Sequence, residues 1–211
     1  MRRTIIYGAG GLGREVYGWL RHSGHRGAIL FCADGEHDAV VHVCDGAVPI
    51  LDPADLNKDY VHGIADTVLI AIADCAARER IAGELRDRAI PLDSFVHGSA
   101  ALMPGLPIPA GVMMLPFALA SDRARIGRGV IINAFSSLGH DASVGAFSTL
   151  SSYVCLAGGA QIGERVFIGT HVTVIPGVKI GNEAYIGAGS VVVRDVQAGA
   201  RMFGNPARQI A

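Results

Sequence analysis

Charge and aromatic side chains are scarce in this sequence of 211 residues. Only 18% of the residues are charged and 6% are aromatic, and 18 basic against 19 acidic side chains leave a net charge of −1. A chain without excess positive charge creates no field that would attract a polyanion. We therefore expect no nucleic-acid partner.

Long apolar runs and closely spaced cysteines are also missing. Half of the residues are apolar, yet no run approaches the ~18 consecutive apolar residues of a membrane-spanning helix, so we expect no membrane partner. The basic pair Arg2-Arg3 is followed by too short an apolar stretch to be a secretory signal. The four cysteines form no C-x-x-C pair. These absences predict a cytoplasmic protein with reduced thiols.

What the sequence does contain is a repeat with a period of six residues. From Val96 to Val192 every sixth residue is apolar, and the residue four positions later is Ala, Val or Ser everywhere except at Leu106. This period fits neither a helix nor an alternating strand. It predicts a solenoid in which each hexad forms one short face, the first residue points inward and small residues fill the corners.

The first half alternates strand and helix patterns, which favours a parallel sheet. Residues 35–66 hold few clear signals. The predicted elements are three strands and two helices: strands at Thr4–Tyr7, Ala28–Cys32 and Thr67–Ala73, one helix after Gly13, and one over Cys75–Arg88.

A glycine-rich loop, Gly8-x-Gly10-x-x-Gly13, follows the first strand. With Asp34 about twenty residues later, it matches the dinucleotide fingerprint and alone would indicate a dehydrogenase. A dinucleotide site needs two mononucleotide halves, however, and only one precedes the repeat. Such a half can still hold phosphate at its first helix N-terminus. The alternative is a tight turn without a ligand.

The repeat resembles that of the hexapeptide-repeat acyltransferases, on the hexads Ile162–Phe167 and Ile186–Val191 and the ending Gly204-Asn205-Pro206-Ala207-Arg208. The resemblance implies a left-handed parallel β-helix with three hexads per coil. It also implies homotrimers that bind acetyl-CoA between subunits. With the opening Tyr7-Gly8-Ala9-Gly10-Gly11, the whole chain is similar to one branch of that family. The branch contains N-acetyltransferases of nucleotide-linked 4-amino sugars and the related sialic acid O-acetyltransferases.

The expected fold is therefore an α/β Rossmann-like half-domain followed by an all-β left-handed parallel β-helix. Residues 1–95 would bind the nucleotide sugar, residues 96–199 would bind acetyl-CoA, and residues 200–211 would form a tail. The carboxyl ends of the strands would line the sugar pocket, with Gly10, Gly11, Leu12, Asp34, Ala73 and Asp74. Relatives often carry histidine where this chain has Leu12.

His140 is the candidate catalytic base. It occupies an outward-pointing corner of its hexad, next to Asp141, and Gly158 stacks on it one coil later and leaves space for a pantetheine arm. A surface histidine beside a simple turn is the alternative. The family places its base in an Asn…Ser-Ser…His-acid stretch, which here runs from Asn133 to Asp141. The resemblance implies that His140 removes a proton during acetyl transfer, that Asp141 orients it, and that Asn133 binds in the same cleft.

The other expected cofactor contacts are Thr149, Thr170 and Ala188. Thr149 stands where the family often has a second histidine, whereas Thr170 and Ala188 belong to a column of small residues on another edge of the prism. Cys155 has no histidine stacked on it, which favours direct transfer in a ternary complex. No metal is expected, because a metal-dependent hydratase on this fold needs about three histidines. That hydratase, a non-catalytic assembly module and a sugar O-acetyltransferase remain the alternatives, and the nucleotide and sugar stay open.

Overall fold

The computed structural model describes residues 3–35, 38–56 and 67–210. The chain divides into two compact units. The N-terminal unit comprises Met1–Ala73 and Ala77–Asp93, and the C-terminal unit comprises Asp74–Ala76 and Ser94–Ala211. Within the described ranges, no helix has the length and apolar character needed to cross a bilayer.

The N-terminal unit is built on a five-stranded sheet in the order β3-β4-β2-β1-β5, parallel except for the β3–β4 pair. Because β2 and β5 flank β1 on opposite sides, the loop after β1 lies at the point where the strand order reverses. Its elements are β1 (Thr4–Tyr7), α1 (Gly11–His22), β2 (Ile29–Cys32), β3 (Val40–Val43), β4 (Gly46–Leu51), a 3-10 turn (Pro53–Asp55), β5 (Thr67–Ile70) and α2 (Cys75–Asp87).

Sequence reasoning missed the hairpin formed by β3 and β4. The two strands pair from Val40 opposite Pro49 to Val43 opposite Gly46. Cys44 and Asp45 form the connection, and Gly46 has a φ of 141°. An Asp-Gly pair between short apolar stretches is a hairpin signal, so the strand pair could have been predicted.

Two glycines of the glycine-rich loop are required by packing. A Cβ on Gly8 would lie 2.8 Å from the carbonyl oxygen of Ala71, and one on Gly13 would overlap the carbonyl oxygen of Gly8. A Cβ on Gly10 or Gly11 meets nothing within 4 Å. The loop therefore combines two glycines that allow strand and helix to approach with two that leave open space.

The C-terminal unit is a parallel β-solenoid with three sheets. Ile131 pairs with Thr149, and Ser137 with Cys155, so each coil takes eighteen residues. An eight-stranded sheet contains β6 (Phe95–Val96), β8 (Met113–Met114), β11 (Ile131–Ile132), β14 (Thr149–Leu150), β17 (Phe167–Ile168), β20 (Tyr185–Ile186), β22 (Arg201–Phe203) and β23 (Arg208–Gln209). A six-stranded sheet contains β7 (Ala101–Leu102), β9 (Leu119–Ala120), β12 (Ser137–Leu138), β15 (Cys155–Leu156), β18 (Thr173–Val174) and β21 (Val191–Val192). A four-stranded sheet contains β10 (Arg125–Ile126), β13 (Ser143–Val144), β16 (Gln161–Ile162) and β19 (Lys179–Ile180).

The apolar hexad positions form the core of the solenoid. From Met114 to Val192 every one of them is buried. The expectation of an inward side chain is wrong at Val96, which is 37% exposed, and Leu102 and Ile108 are only partly buried. These three belong to the first coil, which has no coil below it to complete its packing.

From residue 105 to residue 189 each corner of the solenoid uses a residue in the left-handed region. From Gly105 to Gly189 each sixth residue has a positive φ, and nine of these fifteen residues are not glycine. A side chain in this conformation costs roughly 1–2 kcal/mol. At several corners the side chains stack on equivalent ones eighteen residues away, and these contacts offset part of that cost.

The hexad frame is interrupted at both ends. Pro107 and Pro109 occupy the positions where a strand would donate its ladder hydrogen bonds, and no strand forms there. Beyond Val192 the frame shifts, since Val196 bridges to Ile180, sixteen residues earlier. Residues 200–211, expected to be a tail, contain β22 and β23, which extend the eight-stranded sheet.

Candidate active site

His140 and Asp141 form a hydrogen-bonded pair at a corner between β12 and β13. The His140 Nδ1 lies 2.9 Å from Asp141 Oδ2, and the imidazole is 69% exposed. When Nδ1 carries the proton and donates to the carboxylate, Nε2 is left as an acceptor. The hydrogen bond from His140 lowers the pKa of Asp141 below its ordinary value, and the positive charge of Arg123 adds to this effect. The pair can therefore act as a base with an ionised orienting group.

Gly158 has a different role from the expected one. A Cβ on Gly158 would lie 2.5 Å from His140 Nε2 and 2.6 Å from Cε1. The imidazole itself thus occupies the space that the missing side chain leaves, so this space is not open to a pantetheine arm. Gly158 supports the flat face of the His140 ring.

Asn133, Thr170 and Ala188 lie at a different corner from His140. Asn133 follows β11, Thr170 follows β17 and Ala188 follows β20, so all three lie between the eight-stranded and six-stranded sheets. Thr170 and Ala188 are exposed. The six-stranded sheet separates them from His140 within one chain, and the two corners can face each other only between two copies.

Thr149 does not fit its expected contact with the cofactor. It is 1% exposed, and the Cys75 Sγ donates a hydrogen bond to its Oγ1 at 3.6 Å. A cofactor on the surface of this unit would not reach the hydroxyl. Thr149 is the first residue of β14, and its side chain faces outward from the coil, where Cys75 covers it.

The N-terminus of α1 is open to a ligand. Gly10 is the N-cap and no side chain caps the helix. Gly10 and Gly11 are exposed and Leu12 is partly exposed. The first N–H groups of a helix lack acceptors within it, and the helix dipole favours negative charge there. This end of α1 is therefore suited to a phosphate.

Asp34 lies at the same edge of the sheet but already has partners. The Tyr7 hydroxyl donates to its Oδ1 at 2.6 Å, and Arg80 lies 3.2 Å from Oδ2. Burial, together with the hydrogen bond to Asp34, raises the pKa of Tyr7 far above its ordinary value, so Tyr7 stays protonated. Arg80 was missed by sequence reasoning. It supplies a cation beside Asp34 at this edge.

Ala73 and Asp74 follow β5, and both are exposed. Ala73 belongs to the N-terminal unit and lies at the carboxyl edge of its sheet, as expected. Asp74 groups with the C-terminal unit. The structure therefore brings Gly10, Gly11, Asp34 and Ala73 to one sheet edge, and Asp74 follows Ala73 directly.

Comparisons with known proteins agree with this architecture. The family profile for the PglD N-terminal domain matches residues 3–85, and that for the bacterial transferase hexapeptide (six repeats) matches residues 159–194. PerB from Caulobacter crescentus, solved in complex with CoA and GDP-perosamine, is 31% identical to this chain. The two structures superpose with a TM-score of 0.89, and the match covers 99% of this chain and 97% of PerB. The chain belongs to the hexapeptide-repeat nucleotide amino-sugar acetyltransferases.

Two further structures share the fold of this acetyltransferase. The acetyltransferase domain of PglB from Neisseria gonorrhoeae FA1090 is 26% identical, with complete coverage of both chains and a TM-score of 0.89. WeeI from Acinetobacter baumannii AYE is 25% identical, also with complete coverage and a TM-score of 0.89. A search of the curated proteins gave no significant match. The predicted fold class is confirmed, and the solenoid is a left-handed β-helix.

The acetyltransferase uses acetyl-CoA as its co-substrate and transfers the acetyl group to a sugar. The PglB domain has also been solved with acetyl coenzyme A. In the present chain, a cleft of about 420 Å³ lies along the four-stranded sheet. His140 lies at the corner that precedes β13 of this sheet. The lining of the cleft includes Gln161, Lys179 and Asp195. Sequence reasoning did not identify this cleft, because its upper part depends on the shifted last coil.

The histidines of the acetyltransferase that lie in the repeats are spread over separate corners. His140 follows β12, whereas His171 follows β17 and stacks on Tyr153 with ring centroids 4.6 Å apart. Among the residues that the structure describes, no three His, Cys, Asp or Glu side chains converge in a group able to hold a metal.

Proposed function

We propose that the protein acetylates the amino group of a nucleotide-linked amino sugar, a 4-amino-deoxy sugar, in surface glycan biosynthesis. The observation that carries the proposal is the hydrogen bond between His140 and Asp141, which leaves Nε2 of an exposed imidazole as a proton acceptor. PerB, which binds GDP-perosamine, supports the substrate class. We place the reaction in the cytoplasm, since all four cysteines are free.

The proposed reaction is direct. The neutral sugar amine attacks the thioester carbonyl carbon of acetyl-CoA while His140 Nε2 accepts the amine proton. The C–N bond forms, the C–S bond breaks, and the proton passes to the departing thiolate to give free CoA. Asp141 stabilises the imidazolium that exists between these steps.

We assign the sugar nucleotide to the carboxyl edge of the N-terminal sheet. Its phosphates would bind the open helix end at Gly10, Gly11 and Leu12. Asp34 and Ala73 lie at the same edge. Asp74 and Asn133 remain assigned to the acceptor from sequence alone.

We assign acetyl-CoA to a cleft between copies of a homotrimer. One wall would be the corner with His140 and Gly158, and the facing wall the corner with Thr170 and Ala188 of a neighbour. Lys179 offers the cofactor phosphates a cation in the adjoining cleft. A neighbour is needed because His140 is 69% exposed, and a single wall would leave the thioester in water.

An exposed aromatic ladder supports the homotrimer. Phe117, Phe135, Tyr153 and His171 stack on successive coils with centroid distances of 4.9, 4.9 and 4.6 Å. The three larger apolar rings are 48–58% exposed. Such a contiguous apolar surface is typical of an interface. We expect light scattering to give three times the chain mass at micromolar concentration, whereas a monomer would contradict the assignment of the cofactor cleft.

The substrate class can be tested with a panel of acceptors. GDP-, UDP- and dTDP-linked 4-amino sugars, the same sugars with a hydroxyl in place of the amine, and free sialic acid would each be incubated with acetyl-CoA. Release of the CoA thiol and the mass of the product report transfer. We expect acetylation of at least one amino sugar and none of its hydroxyl counterpart. Acetylation of sialic acid alone would establish the O-acetyltransferase instead.

The same assay separates the two binding sites. Gly11→Phe should raise the KM for the sugar nucleotide about tenfold or more, since blocking charged hydrogen bonds costs about 1.5–3 kcal/mol each. The KM for acetyl-CoA should stay nearly unchanged, and the open space around Gly11 allows the variant to fold. An equal rise in both KM values would mean that the N-terminal unit does not bind the sugar nucleotide.

A further inference from the structure

Arg123 occupies the corner one coil below Asp141. Both residues have a positive φ, 53° for Arg123 and 61° for Asp141, and they are eighteen residues apart in equivalent positions. The Asp141 N–H donates to the carbonyl of Asp122 at 2.9 Å, which fixes the two corners against each other. The side chains of Arg123 and Asp141 therefore point from the same column of the solenoid.

The guanidinium contacts both oxygens of the Asp141 carboxylate. Its Nε lies 2.9 Å from Oδ1, and its Nη2 donates to Oδ2 at 3.3 Å. Oδ2 is also the oxygen that faces His140 Nδ1 at 2.9 Å. A planar guanidinium with two donors holds a carboxylate in one plane better than a single ammonium does. The carboxylate thus lies between a fixed cation and the imidazole.

We propose that Arg123 is a positioning residue that holds Asp141 in the orientation that presents Nε2 of His140 to the acceptor amine. This inference rests on the proposed function, in which His140 is the base. Arg123 also neutralises part of the carboxylate charge. Because a carboxylate stabilises an imidazolium and a cation opposes it, removal of Arg123 should favour the protonated imidazole, which cannot act as a base.

The charged neighbours of the imidazole are few. Its own corner contributes Asp141, the coil below contributes Asp122 and Arg123, and Arg123 Nε lies 3.5 Å from Asp122 Oδ2. The coil above places Gly158 and Gly159 next to it, which carry no charge. Among the described residues, Arg123 is therefore the cation that lies nearest to the pair formed by His140 and Asp141.

The chain offers a matched control for Arg123. Arg165 also has a positive φ, 54°, at a corner, and its Nη2 lies 2.8 Å from Glu183 Oε1, eighteen residues later. This ion pair likewise joins corner residues of successive coils, although two guanidinium nitrogens contact one oxygen of Glu183, and it involves no histidine. Arg165→Gln should therefore report the structural cost of losing such a pair, without any effect on the base.

The test compares Arg123→Gln and Arg123→Lys with Arg165→Gln in the full-length protein. We expect Arg123→Gln to lower kcat by a few-fold to about tenfold, the range that loss of an exposed charge pair allows. The acidic limb of its kcat–pH profile should move to higher pH, and this displacement should shrink at high salt. Arg123→Lys should return the acidic limb to its position in the parent but restore only part of kcat. Arg165→Gln should match the parent in both kcat and the position of the limb.

Three outcomes would overturn the inference: an unmoved limb in Arg123→Gln, an equal loss in Arg165→Gln, or an additive loss when Arg123→Gln is combined with His140→Ala. Residues that act through one another lose little more in combination than alone. Failure of the proposed function looks different, because His140→Ala would then keep its activity. The ¹⁵N shifts of the His140 ring add a readout independent of turnover, as they show which ring nitrogen carries the proton.

Discussion

His140→Ala should lower kcat by about 10²–10⁴, the usual contribution of a general base. The loss arises because the attacking amine must shed a proton as the C–N bond forms, and no other acceptor is paired with a carboxylate at this corner. The affinity for CoA should change little, since we assign the cofactor's binding to backbone and small side chains along the cleft and the imidazole is held by Asp141 and Gly158. Steady-state rates and calorimetric titration with CoA would measure the two effects separately.

The pH dependence gives a second measurement on the same variant. In the parent, kcat should rise with pH as the imidazole loses its proton, because only the neutral imidazole accepts a proton. This limb should disappear in His140→Ala. His42→Ala is the control, since His42 is an exposed histidine of β3 in the N-terminal unit and belongs to neither proposed wall of the cofactor cleft. Near-parental kcat with an unchanged limb in His140→Ala would remove His140 from the mechanism.

Gly158→Ala should lower kcat about 10²-fold although it adds only a methyl group. The new Cβ would lie 2.5 Å from His140 Nε2, so the ring must move, and we expect this movement to disturb its hydrogen bond to Asp141. A displacement of about 1 Å at a reacting group can cost about 10² in rate. Gly158 has no positive φ, so alanine is compatible with its backbone, and thermal unfolding should change little.

Gly98→Ala is the matched control for this substitution. It lies in the same unit, and a Cβ there meets nothing within 4 Å. Its kcat and unfolding temperature should equal those of the parent. If Gly158→Ala retained full activity, then the observed position of the His140 ring against Gly158 would not be needed for turnover. A loss shared by Gly98→Ala would instead reflect a general sensitivity of the solenoid.

The hexad pattern predicted the core of the solenoid well, because inward side chains recur at a fixed spacing. The pattern failed where a coil lacks a neighbouring coil or is shorter than eighteen residues. Val96 lacks a coil below it, and Val196 pairs with Ile180 after a shortened coil. Neither effect appears in the apolar pattern, since both residues match the frame. The β3–β4 hairpin, by contrast, had a readable Asp-Gly turn signal.

The candidate site was predicted in part. Adjacency in sequence suggested the pair of His140 and Asp141, and the structure places their side chains in hydrogen-bond contact. The direction of the imidazole could not be read from the sequence, so Gly158 was interpreted as open space. Arg123 could have been found, because the spacing of eighteen that placed Gly158 one coil above His140 also places Arg123 one coil below Asp141. The burial of Thr149 depends on Cys75, which is distant in sequence and has no periodic relation to it.

The antiparallel pairing of β23 with β22 has a consequence for solubility. A parallel solenoid ends in unpaired N–H and C=O groups, and such an edge can accept a strand from another molecule and grow into a fibre. Here the chain reverses after β22, and Arg208 and Gln209 pair with Phe203 and Met202. A strand of two residues that runs against the others and carries a charge is a poor template for further addition. The eight-stranded sheet thus ends in a short reversed strand that hinders end-to-end polymerisation of the repeat.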